Sequence, residues 1–253
     1  MLYIAQGKYH QVEQLLRQSL TILEQTVGLL HPIAGRTFDT LGRLSYLQGK
    51  YLKAQGKYKT AEQSFQKAQR IREQALGVEH PDVLTTVNYL ADVYIEQNKL
   101  SLAEELYKDL LTVRTQILGA EHPAVAQTLH SMAQLAYIQG KYAHAQQVYN
   151  QVRTIREKVL GPEHPDVAQS LYGLALIYYW KWKKFELADP LLQQAIAIYE
   201  KAQVPEHPEL APILITYAGL LLAFNRKSEA DEAKERAKII LAKHALMSNM
   251  EDA

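Results

Sequence analysis

Three stretches of the chain read almost alike: LGVEHPDVLTTV at 76–87, LGAEHPAVAQTL at 118–129 and LGPEHPDVAQSL at 160–171. Looser versions stand at 30–41 (LHPIAGRTFDTL) and 203–214 (QVPEHPELAPIL). The His-Pro pairs start at 31, 80, 122, 164 and 207, so the steps between them are 49, 42, 42 and 43 residues. A recurrence every 20–50 residues or so signals stacked supersecondary units rather than one closed core. Each unit reads as two helices. In the unit 122–163 the first runs from about Pro123 to Gln139 and the second from about Tyr142 to Leu160. Leu129, Met132, Ala133 and Ala136 in the first, and Ala145, Val148, Tyr149, Val152 and Ile155 in the second, fall at helical spacing.

The repeated stretch is then a helix stop, a corner and a helix start. Gly77, Gly119 and Gly161 sit just past a second helix, where a left-handed residue is wanted. Pro81, Pro123 and Pro165 fall in the first turn of the next helix, where a missing N–H costs nothing. Asp82 and Asp166 follow, placing negative charge at the positive end of the helix dipole. The histidine between them is predicted to bond to neighbouring backbone. QGKY at 48–51 and 139–142, and QNKL at 97–100, are expected to make the tight turn inside each hairpin.

Two irregularities stand out. In the 49-residue unit GKYLKAQGKY (49–58) repeats GKY after seven residues, about two helical turns, so the first helix can lengthen without rotating its buried face. The 43-residue unit carries YYWKWKKFELADP (178–190), one residue longer in the turn, with Trp180 and Trp182 expected to alter that turn locally. Aligned on GKY, MLYIAQGKY supplies only the end of a first helix. The expected layout is a single array: a partial unit at 1–30 and units at about 31–79, 80–121, 122–163 and 164–206. A final unit with a C-terminal capping helix spans 207–246, and a frayed tail covers 247–253. The partial first unit suggests a fragment of a longer array, or an N-terminus resting on something else, and it leaves room for a homo-oligomer.

Composition narrows the function. The 253 residues are 47% hydrophobic, enough for a real core. With 28 basic and 27 acidic residues the net charge is +1, which offers no global attraction to nucleic acid or anionic membrane. Zero cysteines exclude disulfides, thiolate metal sites and cysteine nucleophiles. The N-terminus lacks the pattern of a secretory signal, and LITYAGLLLAF (214–224) is too short to span a bilayer. The expectation is a cytoplasmic chain without a membrane or nucleic-acid partner.

No phosphate-binding glycine loop, zinc-protease helix or nucleophile elbow is present. The five corner histidines lie one unit apart and cannot converge on one ion. His10, His130, His144 and His244 have no ligand-spaced companion, and of these His130 alone is placed on the first-helix face. Glu232 and Arg236, four residues apart, read as surface support for the last helix. The reading is therefore of a non-enzyme with no cofactor and no metal.

The unit resembles the tetratricopeptide repeat in the 42-residue form of kinesin light chains and their bacterial relatives. The family's small residue at position 8 is matched by Gly42, Ala91, Ala133, Ala175 and Ala218, and that at position 20 by Ala61, Ala103, Ala145, Ala188 and Ala230. Its aromatic at position 24 is matched by Phe65, Tyr107 and Tyr149, then replaced by Leu192 and Lys234. The resemblance implies an all-α right-handed superhelix, a solenoid of antiparallel helix pairs, whose first helices line a concave groove for a peptide or helix of a partner protein.

Mapped onto that groove, positions 2, 5, 9 and 12 fall on Arg36, Asp39, Arg43 and Tyr46; Thr85, Asn88, Asp92 and Ile95; and Gln127, His130, Gln134 and Tyr137. The series continues with Gln169, Tyr172, Leu176 and Tyr179, then Pro212, Ile215, Gly219 and Leu222. The set runs from charged through amide- and aromatic-rich to apolar, suited to a partner polar at one end and apolar at the other; its apolar end could equally be covered by the chain's own last helix or a neighbouring subunit. Arg43, Tyr46, Asn88, His130, Tyr137 and Tyr172 form the expected hot spot. Kinesin light chains commonly carry Asn at position 5; here Asn88 keeps it, while Asp39, Asp92 and Glu96 oppose an acidic ligand for Arg36 and Arg43. Two other readings stand beside this scaffold: a self-associating structural or regulatory module of a larger bacterial protein, and a base-reading RNA solenoid, disfavoured by the near-neutral charge.

Overall fold

The computed structural model describes residues 9–52, 56–202 and 207–249. Its elements are α1 (Tyr9–Thr26), α2 (Pro32–Leu52), α3 (Gly56–Leu76), α4 (Pro81–Glu96), α5 (Leu100–Leu118), α6 (Pro123–Ile138), α7 (Tyr142–Leu160), α8 (Pro165–Leu176), a π-helical turn at Ile177–Lys181, α9 (Phe185–Lys201), α10 (Leu210–Ala223) and α11 (Lys227–Asn249). No strand occurs among the described residues.

His80, His122 and His164 are the N-caps of α4, α6 and α8. The amides of Asp82, Ala124 and Asp166 donate to Nδ1 of His80, His122 and His164 at 3.1, 3.1 and 3.2 Å. The amides of Ile33 and Glu209 reach His31 and His207 at 3.3 Å. Proline at the first helical position has no N–H, so the next amide is the first that needs an acceptor, and the imidazole supplies it. The preceding glycine is more demanding than a left-handed helical cap. Gly161 has φ 88° and ψ 155°, a region that side chains other than hydrogen essentially exclude.

The turn inside each hairpin is also regular. Asn98, Gly140 and Asn225 take φ of 60°, 78° and 59°. The following amides of Lys99, Lys141 and Arg226 then reach back five residues, to Tyr94, Ala136 and Leu221, at 2.8, 2.8 and 2.9 Å. In the 43-residue unit Lys183 (φ 54°) holds the same place, but Lys184 reaches back six, to Tyr178, at 2.9 Å. The extra residue is absorbed just upstream in the π turn, where Trp182 donates to Ile177 at 3.1 Å. The 49-residue unit is solved differently. QGKY at 48–51 is not a turn: α2 continues through it to Leu52, and α3 starts at Gly56 with the second GKY. α2 has 21 residues against 16 in α4 and α6, and α3 has 21 against 19 in α5 and α7, so the seven added residues lengthen the first helix by five and the second by two. Gly49 lies so close to Tyr58 that a β-carbon would meet its ring at 2.6 Å.

The chain divides into two compact units, Met1–Ile117 with His244–Ala253, and Leu118–Lys243. Within the first, α1 packs on α2, α2 on α3 and α3 on α4; within the second, α6 packs on α7, α7 on α8, α8 on α9 and α9 on α10. The position-20 alanines and the alanines at position 8 have no exposed surface. Gly42 sits at position 8 against the position-24 ring, where a β-carbon would come within 2.8 Å of Phe65. Close helix crossing and a filling aromatic therefore select each other. In the second unit Leu192 takes the aromatic's place in a core with Leu171, Tyr199, Leu214 and Ile240. Arg236 does not serve Glu232 but pairs with Glu200 of α9 at 2.6 Å.

Candidate peptide-binding face

Behind the first-helix face of each unit stand buried arginines. Arg72, Arg114 and Arg156 fall 42 residues apart, in the last turns of α3, α5 and α7, with side chains almost wholly enclosed. Arg72 meets Asp39 at 3.0 Å and donates to the Thr86 hydroxyl at 2.6 Å and the Asp82 carbonyl at 3.0 Å. Arg156 repeats the forward pair, to Ser170 at 3.0 Å and the Asp166 carbonyl at 2.6 Å, and reaches back to His130 Nδ1 at 3.3 Å and Gln127 at 3.2 Å. Arg114 donates to Asn88 and to the Leu84 carbonyl, both at 3.1 Å. Position 5 of each first helix (Asp39, Asn88, His130) is thus held by the arginine of its own hairpin. Burial pulls the Arg114 guanidinium down to about 10, with Asp92 and Tyr89 opposing the shift, so it stays charged at neutral pH. Burial likewise raises the Asp39 carboxyl, against the pull of Arg72 and the Thr86 hydroxyl.

Register on the first helices alone does not single out these arginines. Their signal was present as IRE, VRT and IRE at 71–73, 113–115 and 155–157, a charged residue repeating in phase with the core. The corner after α9 departs from it. Tyr199 stands at the corresponding place, stacks on His207 with ring centroids 5.5 Å apart, and donates to Glu209 at 3.0 Å.

In the first unit the mapped residues separate into two groups. Asp39 and Asn88 are 6% and 3% exposed and are committed to their arginines; they brace the face rather than form its surface. Asp92 accepts from Tyr107 at 2.5 Å and from Asn88 at 3.2 Å, and Glu96 accepts from Tyr58 at 3.0 Å. The three carboxylates expected to oppose an acidic ligand are therefore engaged elsewhere. Arg36 is exposed, and Arg43 is half-buried with its guanidinium 5.1 Å from the centre of the Tyr89 ring. Neither forms an ion pair among the described residues. Tyr46 lies half-buried against Tyr58, centroids 6.3 Å apart.

In the second unit His130, Gln134, Tyr137, Tyr172 and Tyr179 are all half-buried. His130 meets Tyr149 edge-on at 5.4 Å. The Tyr172 hydroxyl lies 3.2 Å from that of Thr216 and 3.3 Å from the Pro212 carbonyl, and burial raises its pKa. Tyr137 sits edge-on to Tyr142 at 5.5 Å. Ile215 and Leu222 are 51% and 40% exposed, so the apolar end of the mapped face is open among the described residues.

No cluster of three or more metal-ligating side chains occurs among the described residues, and no described helix is long and apolar enough to cross a membrane. Hairpins in phase, small residues at the crossings and a first-helix face braced from behind define a helical-repeat protein of the class that binds other proteins. The tetratricopeptide repeat model matches residues 52–116, 101–158 and 139–201, more than half of the chain. The chain belongs to the tetratricopeptide repeat family.

Among solved structures it is similar to a Podospora anserina protein assigned to the kinesin light chains, with nearly identical TPR-like repeats. That match is 28% identical, covers 84% of this chain and 97% of the other, and has a TM-score of 0.56. It shares its fold with BtubC of P. vanneervenii, at 20% identity over 93% and 90% of the two chains (TM-score 0.63). The Rap protein complexed with competence and sporulation factor also shares the fold, at 15% identity over 96% and 74% (TM-score 0.67). No curated protein matches the chain in sequence.

Proposed function

We propose that the chain is a non-catalytic, cytoplasmic interaction scaffold that holds a peptide or helix of a partner protein against its first-helix face, as the cargo-binding domain of kinesin light chains does. The observation that carries this reading is the state of charge on that face. Asp39 is paired with Arg72, and Asp92 and Glu96 are held back by tyrosine hydroxyls, while Arg36 and Arg43 are without ion-pair partners. A guanidinium already laid on an aromatic ring loses little freedom when it takes a carboxylate. The half-buried Tyr46, Tyr137, Tyr172 and Tyr179 supply rigid amphipathic contact area of the kind that dominates binding energies. A peptide selected from a random display library is expected to bind the purified chain and to lose at least tenfold in affinity with Arg43→Glu and with Tyr137→Ala. Lys108→Glu, on a second helix, is the control. Equal binding by all three variants contradicts the reading.

A second reading, a self-associating module of a larger bacterial protein, draws on α1. Leu15 and Ile22, seven residues apart on that helix, are 60% and 59% exposed. Light scattering across a concentration series separates the two: mass that rises with concentration and falls back with Leu15→Glu favours self-association.

A further inference from the structure

The π turn of the second unit carries a lysine cluster that the proposed first-helix site does not use. Residues 178–185 read YYWKWKKF, composed entirely of aromatic residues and lysines. The corresponding turns, YIEQNKL at 94–100, YIQGKY at 137–142 and LAFNRKSE at 222–229, have no such composition. Each lysine is laid over rings. The Lys181 Nζ is 5.1 Å from the centre of Tyr142 and 5.6 Å from that of Tyr137. Lys183 is 5.5 Å from Trp180 and 5.9 Å from Tyr179, and Lys184 is 5.5 Å from Trp182. All three are exposed, as is Trp180 at 51%, and none forms an ion pair among the described residues. A chain whose net charge is +1 thus gathers three unopposed ammonium groups in four residues.

We infer that this turn is a second docking point, beside the first-helix face, which takes an acidic segment of a partner protein. Charge complementarity selects an anion, and the arrangement narrows which kind. The lysines cap ring faces that stacked bases would need, and one turn of cations offers no track for successive phosphates, whose neutralisation drives nucleic-acid binding. A short run of Asp or Glu matches three ammonium groups held in place by their rings, with an apolar flank for Trp180. The inference does not rest on Arg36 or Arg43, although Tyr137 and Tyr179 of the first-helix face are among the rings beneath Lys181 and Lys183.

The chain's two tryptophans, Trp180 and Trp182, both lie in this turn, so intrinsic fluorescence reports on it alone. A decapeptide of glutamate, titrated into the full chain at low salt, is expected to change the tryptophan emission saturably, and the affinity is expected to fall steeply with added salt. Lys181→Glu combined with Lys183→Glu, checked for unchanged helicity, is expected to weaken binding at least tenfold; Lys108→Glu, on a second helix, is expected to leave it unchanged. The inference is overturned if emission does not respond, or if the double variant binds as the parent does. It is equally overturned if a single-stranded oligonucleotide or vesicles rich in phosphatidylserine bind the turn more tightly than the peptide.

Discussion

The corner histidine shows how much one side chain decides. Its position before proline recruits Nδ1 as acceptor for the first amide that proline leaves unsatisfied. His122→Ala is expected to lose about 1 kcal/mol of stability in urea unfolding, as removed N-caps typically do, and His122→Asn to retain most of it. Equal losses in both would show that the cap bond contributes nothing. Asn88 carries a different lesson. It answers the Arg114 guanidinium in a buried site, so Asn88→Ala leaves a buried charge short of a partner and should cost roughly 1–3 kcal/mol. Weakened peptide binding in that variant would reflect a loosened hairpin. Arg43→Glu probes contact more cleanly, because Arg43 is on the outside of the same face.

At the scale of elements, helix ends and helix lengths follow from the chain's punctuation, with one informative exception. Gly161→Ala places a β-carbon where φ is 88° and ψ 155° and is expected to destabilise by about 1–3 kcal/mol. Gly56→Ala, with nothing within 4 Å of the added carbon, is expected to be neutral or better. A flat response at both sites contradicts the assignment of the corner. Helix α1 is tied to α3 by Glu13, whose carboxylate meets Lys57 at 2.9 Å and Arg17 at 2.8 Å. Burial alone would raise the Glu13 pKa, but its bonds to Lys57 and Arg17 outweigh that and hold it below the ordinary glutamate value. A depressed folded value means stability that is present above the unfolded pKa and lost as pH falls through the folded one. The protection factors of the α1 amides, corrected for intrinsic exchange, should therefore fall on acidification from pH 5 to pH 3 in the parent, and much less in Glu13→Gln; identical profiles would refute the tie.

Most of this level could be read from residue order. The 42-residue step, the small residues at the crossings and the Gly and Pro positions set hairpins, corners and core. The turn at 48–51 could not be read that way, because GKY there serves helix continuation and only its copy at 56–58 begins a helix. The arginines behind the face were likewise hidden, because a charged residue is assigned to the surface until its partners are known, and those partners lie 26–33 residues back and 10–14 residues ahead. For the same reason Asp39 and Asn88, placed on the exposed first-helix face by register alone, are buried behind it.

For the whole molecule, Asp39, Asn88 and His130 brace their hairpins from position 5, and the proposed partner is expected to meet the exposed and half-buried residues of the same face. This division of labour is testable without knowing the natural partner. Hydrogen exchange should be measured across the chain, with and without the tightest peptide from a display selection. The account predicts added protection on the first helices, at 36–46, 130–137 and 172–179. Protection confined to second helices such as 104–114 and 145–156, or no protection at all, would contradict it.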